Sequence, residues 1–159
     1  MEEKKLAIIA TKGSLDWAYP PFILASTAAA LGYETQIFFT FYGLQLLKKD
    51  LDLKVTPLGS PGMPMPMGMD KWFPVILTAL PGMEAMMTAM MKKKMADKGV
   101  ASLEELRDLC QEAEVKLIAC QMTVDLFEMD TADFIDGVEY GGAATFFEFA
   151  GQSDICLYI

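Results

Sequence analysis

Cysteines are the side chains in this sequence that are best suited to covalent chemistry, and there are three of them. Cys120 ends an apolar run, Cys110 lies ten residues upstream, and Cys156 falls in another apolar run near the C-terminus. The sequence has no histidine, which excludes serine–histidine and cysteine–histidine catalysis and also zinc or haem sites with histidine ligands. Any reaction must therefore use cysteine, carboxylates, lysine, tyrosine, hydroxyls, backbone amides or a borrowed group.

Cys120 occupies the most informative position of the three. It directly precedes a predicted helix, and the unpaired N–H groups at a helix start favour a thiolate over a thiol. The backbone N–H groups of Met122, Thr123 and Val124 are the candidates for stabilising such an anion, whereas Asp125 in the first turn opposes it. Position alone leaves the alternative that Cys120 is a small, inert, buried residue at a strand end.

The other two cysteines have less favourable positions. Cys110 falls on a predicted helix, where it is either a resolving thiol for Cys120 or a core-facing residue, and contact between the two thiols is not assured. A disulfide between them would make the protein a redox sensor. Cys156, between two apolar residues, is predicted to pack inside a strand.

The elements that must position these residues are short apolar segments alternating with helical patterns. Continuous apolarity over so few residues is typical of parallel strands covered on both faces. This alternation predicts an open three-layer α/β sandwich with a mainly parallel sheet, which binds ligands at the carboxyl ends of its strands. The predicted strands are Lys5–Thr11, Thr35–Thr40, Val115–Cys120 and Asp154–Ile159, with a further small strand at Leu53–Val55.

Helices are predicted between these strands from their end signals and apolar spacing. Ser14 and Gly32 are expected to cap the first, and Ser102 with Glu105 three positions later predicts a capping box for another. The pair Gly141-Gly142 is interpreted as a turn. The predicted helices are Ser14–Leu31, Tyr42–Lys49, Gly82–Lys98, the one from Ser102 with apolar positions Leu103, Leu106, Leu109, Cys110 and Ala113, Gln121–Met129, and Gly142–Ala150.

Residues 59–99 differ in composition and are interpreted as an insertion in a single domain over residues 1–159. They hold ten of the thirteen methionines and five of the eight prolines. Prolines exclude regular helix from Gly59–Asp70, where thioethers alternate from Met63 to Met69. Such thioethers can bind Cu(I), but an adaptable contact surface for an oligomer or a membrane face is favoured, so we expect no metal.

Charge and composition limit the partners and the compartment. A net charge of −9 argues against nucleic-acid binding. From Ser102 onward, thirteen acids face only Arg107 and Lys116, which either attracts a basic protein partner or forms a solvated face. A hydrophobic fraction of 53% predicts a homo-oligomer. Widely spaced cysteines without a CxxC pair, and an N-terminus unlike a signal peptide, predict a cytoplasmic protein.

Two stretches of the sequence resemble the DsrE/DsrF-like family, and more narrowly its DsrE2-type branch, often labelled peroxiredoxin-like. They are Ala119–Leu126 and Phe134–Ala143, and Thr11–Asp16, Phe38–Leu44 and the Met- and Pro-rich insertion match the same branch. The resemblance implies a parallel α/β sandwich that assembles into oligomers and traffics sulfur in the cytoplasm without a cofactor. Cys120 matches the family's cysteine, and some members of the branch carry a partner cysteine where Cys110 stands.

These observations give one leading functional hypothesis and two alternatives. The resemblance implies that Cys120 accepts sulfane sulfur as a persulfide, or binds thiosulfate, and passes sulfur to small sulfur-carrier or rhodanese-like proteins; peroxide reduction is not expected. The main alternative is a non-catalytic adaptor that docks a partner or the membrane surface through residues 59–99. The other is the Cys110–Cys120 redox sensor.

Overall fold

Five parallel strands form one sheet in the computed structural model, which describes residues 3–58, 72 and 74–159. Their order across the sheet is β4-β3-β2-β1-β5, and each pair of neighbours is parallel. The predicted fold class is therefore confirmed. The strands are β1 (Lys5–Ala10), β2 (Glu34–Phe39), β3 (Lys116–Cys120), β4 (Val138–Gly141) and β5 (Ile155–Tyr158).

Helices connect the strands largely where the sequence predicts them. The α-helices are α1 (Leu15–Ala30), α2 (Met83–Asp97), α3 (Leu103–Glu112), α4 (Gln121–Leu126) and α5 (Ala143–Ala150). Among the described residues, three short 3₁₀ helices cover Phe41–Leu47, Val75–Ala79 and Thr131–Asp133. The segment predicted as a second α-helix, Tyr42–Lys49, is thus mostly the first of these 3₁₀ helices, and the small strand predicted at Leu53–Val55 is irregular chain instead. None of the helices among the described residues has the length and apolarity needed to cross a membrane.

Helix ends follow some of the predicted signals. The capping box of α3 is present: the Ser102 hydroxyl accepts the Glu105 N–H at 3.2 Å, and the Glu105 carboxylate accepts the Ser102 N–H at 2.7 Å. Gly32 follows α1 with φ +85°, the left-handed conformation that glycine adopts without strain. The Ser14 hydroxyl, predicted to cap α1, lies 3.2 Å from the Thr56 hydroxyl instead.

Each face of the sheet has its own helical layer. On one face, the Phe22 ring of α1 lies 5.9 Å from the Phe39 ring of β2, and α3 lies beside α1. On the other face, Phe146 of α5 packs with side chains from β1, β2 and β3. The side chain of Cys120 points to this second face, because alternate residues of a strand point to opposite sides.

The edge strands differ most from the prediction. β4 was not predicted, because its sequence lacks an apolar run, yet it pairs with β3 and sets Gly141 opposite Cys120. β5 lies at the other edge, where Cys156 is exposed, so the prediction that Cys156 packs in the interior is wrong. Two of the apolar positions that mark the helix from Ser102, Leu109 and Ala113, are also exposed, while α3 buries Leu103, Arg107 and Cys110.

The chain divides into two compact units. The unit that contains the sheet consists of Met1–Gly13, Trp17–Asp52 and Ser102–Ile159, and the other of Ser14–Asp16 and Leu53–Ala101. Within the latter, the Asp16 carboxylate accepts hydrogen bonds from the N–H and hydroxyl of Thr56. The helix predicted over Gly82–Lys98 is present as α2, whereas the thioether run from Met63 to Met69 lies outside the described residues.

Candidate functional site

Cys120 is both the last residue of β3 and the residue that caps the N-terminus of α4. Its backbone is still extended, with φ −66° and ψ 109°, so the chain changes from strand to helix at this residue. The register of β2 and β3 pairs Phe39 with Ala119, which sets Thr40 beside Cys120 at the carboxyl edge of the sheet. Two segments that are distant in sequence, one after β2 and one after β3, therefore meet around the thiol.

A small hydroxyl network joins these two segments. Thr123 in the first turn of α4 is fully buried, and its hydroxyl oxygen lies 3.2 Å from that of Thr40. The same oxygen accepts the N–H of Phe41 at 3.3 Å. The Thr123 hydroxyl accepts this N–H through its oxygen. Its own O–H hydrogen can therefore still donate to an anion nearby.

The sulfur of Cys120 lies within this network, and the network changes its acidity. Burial by itself raises the pKa of Cys120, but hydrogen bonds from the Thr123 side chain and backbone, the Thr40 hydroxyl and the Met122 backbone outweigh it. The net result is a pKa below the ordinary value for cysteine. A thiolate held in this way is both a nucleophile and a good leaving group.

The donors overlap in part with those expected from the sequence. Of the three predicted backbone amides, those of Met122 and Thr123 contribute to lowering this pKa, whereas Val124 is not among the contributing residues in the described part of the chain. The Thr40 and Thr123 hydroxyls were not predicted. A signal for Thr40 exists, since it is a hydroxyl residue directly after an apolar strand, but using it requires knowing that β2 lies next to β3.

Cys120 is much less accessible to solvent than a reactive thiol on the protein surface would be. Only 5% of the residue is exposed, and it packs in a cluster with Ala7, Phe38, Ile118 and Phe146. The Phe38 and Phe146 rings lie 5.5 Å apart, so β2 and α5 together cover the sulfur. The thiol at rest is therefore covered on the α5 face while it is held by hydrogen bonds at the carboxyl edge.

Cys110 has the opposite environment, which favours the core-facing alternative over that of a resolving thiol. It is fully buried, and its S–H donates to the Phe22 carbonyl of α1 at 3.4 Å. Burial raises the pKa of Cys110 to about 12, although a backbone hydrogen bond with Ser26 acts in the lowering direction. A neutral, covered thiol of this kind does not act as a nucleophile.

The path of the chain also separates Cys110 from Cys120. α3 ends in a turn in which the Val115 N–H donates to the Cys110 carbonyl at 2.9 Å, so Cys110 lies at the amino end of β3. From Val115 to Cys120 the extended chain spans about 16 Å, at about 3.3 Å per residue. A disulfide needs α-carbons within about 7 Å, so this separation argues against the Cys110–Cys120 disulfide that the redox-sensor alternative requires. All three cysteines are free thiols.

Metal chemistry has no evident location at this edge. Within residues 3–58, 72 and 74–159, no group of three or more cysteine, aspartate or glutamate side chains is arranged to hold a metal ion. The chemistry that the arrangement supports is that of a single stabilised thiolate.

Comparison with known proteins places this geometry in context. Residues 2–158 match the DsrE/DsrF/DrsH-like family. The chain is 84% identical over 159 residues to a protein of Allochromatium vinosum named sulfur carrier protein DsrE2, covering 100% of both chains. It is 32% identical over 161 residues to the uncharacterized protein YrkE of Bacillus subtilis, covering 99% of this chain and 98% of that one.

A solved structure shares the fold at much lower sequence identity. The crystal structure of the ychN protein from E. coli superposes with a TM-score of 0.60 at 12% identity, covering 98% of this chain and 99% of that one. At this identity the likeness concerns the α/β fold alone.

Proposed function

The chain belongs to the DsrE/DsrF/DrsH-like family, and on that premise we propose that it is a thiol-dependent sulfur carrier that holds sulfane sulfur on Cys120. The observation that carries the proposal is the place of Cys120 at the start of α4, beside the paired Thr40 and Thr123 hydroxyls, where the pKa of its thiol is lowered. The name of the Allochromatium vinosum relative, sulfur carrier protein, supports the same role.

Loading is a displacement at a sulfane sulfur. The Cys120 thiolate attacks the outer sulfur of a donor persulfide, a new S–S bond forms, and the donor's inner sulfur leaves as a thiolate. With thiosulfate as the donor, the same attack on the outer sulfur releases sulfite. Neither reaction needs an external oxidant or reductant, because the sulfur enters at the oxidation level of the persulfide.

Unloading reverses the roles. A partner's thiolate attacks the outer sulfur of the Cys120 persulfide, the S–S bond to Cys120 breaks, and the electron pair returns to the Cys120 sulfur. The hydrogen bonds from Thr40, Met122 and Thr123 then receive the thiolate as it forms, which stabilises the leaving group. We propose small sulfur-carrier or rhodanese-like proteins as the partners.

The burial of Cys120 adds a requirement to this cycle. Since the residue is 5% exposed, a donor reaches the sulfur only when a covering group moves. We infer that Phe146 is the covering group, because it is the buried residue of α5 in the cluster around the thiol, while Phe149 and Ala150 of the same helix pack against that cluster from partly buried positions. Replacing Phe146 with alanine is therefore expected to speed alkylation of Cys120 by iodoacetamide.

We also infer that the chain forms a homo-oligomer. β5 is an edge strand on which Ile155 is 41% and Tyr158 is 74% exposed, and exposed apolar edges favour association. Light scattering at micromolar concentration tests this, and a species of 17.6 kDa would contradict it.

The central experiment is intact-mass analysis after sulfur loading. The protein is incubated with polysulfide or thiosulfate, freed of small molecules, and examined for the added mass of one sulfur atom that dithiothreitol removes. We expect the adduct in the wild type, in Cys110→Ala and in Cys156→Ser, and its loss in Cys120→Ser. An adduct that persists in Cys120→Ser and is lost in either of the other variants would overturn the assignment.

A further inference from the structure

The two segments that hold Cys120 also present a continuous apolar surface to solvent. Five large side chains form it, and each is between 39% and 65% exposed. We call this surface the α4 patch. Its members are Phe41 and Tyr42 from the start of the 3₁₀ helix after β2, and Met122, Leu126 and Phe127 from α4 and its end.

Ring contacts tie the patch together across the two segments. The Phe127 ring lies 6.1 Å from the Phe41 ring, edge to face, and 5.8 Å from the Tyr42 ring, stacked. The patch is also coupled to the thiol, because the Phe41 N–H donates to the Thr123 hydroxyl and the Met122 backbone bonds the Cys120 sulfur. A protein that binds this surface therefore lies against the same residues that hold Cys120.

Acidic side chains line a cleft on one side of the patch. The cleft has a volume of about 450 Å³, with Tyr42 and Phe127 in its lining. Three carboxylates, from Glu128, Asp130 and Asp133, line the same cleft against one cation, Lys48. Asp125 adds a further exposed carboxylate on α4, one position before Leu126. The side of the apolar surface that adjoins the cleft is thus predominantly negative, even counting Lys49, whose Nζ donates to the Ala132 carbonyl at 2.9 Å.

We propose that the α4 patch is the docking site for the protein that exchanges sulfur with Cys120, and that this partner carries its cysteine on an apolar surface with a lysine- or arginine-rich rim. The inference rests on the proposed function, since it names the partner chemistry of the same site. Charge complementarity selects the partner, because a basic rim neutralises the acids in the adjoining cleft and is attracted over a distance.

The same charges argue against the other occupants of an exposed apolar surface. A second copy of this chain would bring its own acidic cleft against the first, which places like charges together. An anionic membrane surface is repelled for the same reason. A homo-oligomer is expected to form through other surfaces, such as the β5 edge, and to leave the α4 patch open.

Two synthetic peptides that differ only in charge provide the test. Each has one central cysteine between leucines, flanked by lysines in one peptide and by glutamates in the other. The rate at which each removes the outer sulfur from loaded Cys120 is followed by intact mass. At low salt the lysine peptide is expected to react on the order of tenfold faster than the glutamate peptide. The difference should shrink strongly near 1 M salt, where the screening length is about 3 Å.

Charge reversal in the cleft has a matched control. Glu128→Lys with Asp133→Lys is expected to abolish or reverse the preference for the lysine peptide. Asp97→Lys with Glu112→Lys makes the same change in net charge at exposed positions elsewhere and should keep the preference. Loss of the preference in both double variants would assign it to net charge and overturn the docking site.

The apolar part of the patch is tested separately. Tyr42→Ser with Leu126→Ser is expected to slow both peptides several-fold, while sulfur removal by dithiothreitol, which needs no docking surface, stays within twofold. Leu31→Ser with Leu109→Ser, also exposed apolar residues, serves as the control and should slow neither peptide. Equal slowing in the two double variants would show that the α4 patch does not dock the peptides, and would overturn the inference.

Failure of the docking inference and failure of the carrier function give different results. If Cys120 acquires no sulfur at all, the carrier function is refuted. If Cys120 is loaded and dithiothreitol unloads it, but the two peptides react at equal rates at low salt, the carrier function stands and the docking inference is refuted.

Discussion

Thr123→Val is the substitution that tests the hydroxyl network most directly. Valine has nearly the same shape as threonine and lacks only the hydroxyl, so the fully buried position keeps its packing. The substitution removes the hydrogen bond from this side chain to Cys120 and the acceptor for the Phe41 N–H. The pKa of Cys120 should therefore rise, because burial continues to act and one of the opposing groups is gone.

The size of the effect follows from the charge on the acceptor. A hydrogen bond to a charged group contributes about 1.5–3 kcal/mol. Since about 1.4 kcal/mol corresponds to a factor of ten, the thiolate population at a fixed pH below the pKa should fall about 10- to 100-fold. The orphaned Phe41 N–H should in addition lower the free energy of unfolding by about 1–3 kcal/mol.

The assay is the rate of iodoacetamide alkylation at Cys120, measured across pH by peptide mass spectrometry. Thr123→Ser is the matched control, since it keeps the hydroxyl and loses a methyl group. We expect the valine variant to react 10- to 100-fold more slowly than the serine variant near neutral pH, and the two rates to converge at high pH, where both thiols are ionised. Convergence of the two rates would show that the variants differ in the acidity of Cys120 and not in its accessibility, because a difference in accessibility would persist at every pH.

One result would refute the reasoning. If Thr123→Val and Thr123→Ser remain folded by thermal denaturation and show the same alkylation rate at every pH, the Thr123 hydroxyl does not stabilise the thiolate. The lowered pKa of Cys120 would then have to come from the backbone amides and Thr40 alone.

Three further predictions concern stability. Because the pKa of Cys110 is raised from 9.0 to about 12, the folded protein keeps a proton that the unfolded chain releases between these pH values. Relative to Cys110→Ala, the wild type should therefore lose about 1.4 kcal/mol of stability per pH unit between pH 9 and about 12. A difference in urea midpoint between the two proteins that stays constant across this range would contradict this. Gly43→Ala should lower the free energy of unfolding by about 2 kcal/mol or more, since its β-carbon would clash with the Ala10 carbonyl oxygen. An unchanged urea midpoint would refute the clash. Arg107→Met should lower the free energy of unfolding by about 2–3 kcal/mol, because the buried guanidinium donates to two backbone carbonyls at the end of the 3₁₀ helix after β2. An equal urea midpoint would mean that these bonds contribute nothing.

The sequence predicts the sheet and the position of Cys120 well, because both depend on local patterns. Apolar runs bounded by capping residues locate four of the strands, and Cys120 ends one of them directly before a helix. Thr40 could not be predicted as a member of the site in the same way. Its place beside Cys120 follows from the pairing of β2 with β3, and strand order is a property of the whole chain.

The wrong end predicted for the helix that starts at Gln121 and the wrong environment predicted for Cys156 each have a specific cause. Gln121–Met129 was predicted as one helix, but α4 stops at Leu126 and the chain turns through Glu128 with φ +49°. Glutamate rarely adopts this left-handed conformation, and the sequence has no glycine here that would have indicated where the helix ends. Cys156 was expected to pack because its neighbours are apolar, and only the position of β5 at an edge leaves it exposed.

The hydrogen bonds on Cys120 also bear on the direction in which sulfur moves. In an exchange between two thiols, the persulfide equilibrium favours the partner whose free thiolate is less stabilised, by a factor of ten for each 1.4 kcal/mol. Thr40, Met122 and Thr123 stabilise the bare Cys120 thiolate, so the emptied carrier is the state that this site favours. In the proposed carrier function, and against an acceptor with an ordinary cysteine, this bias would drive sulfur outward, as in a relay and not in a reservoir.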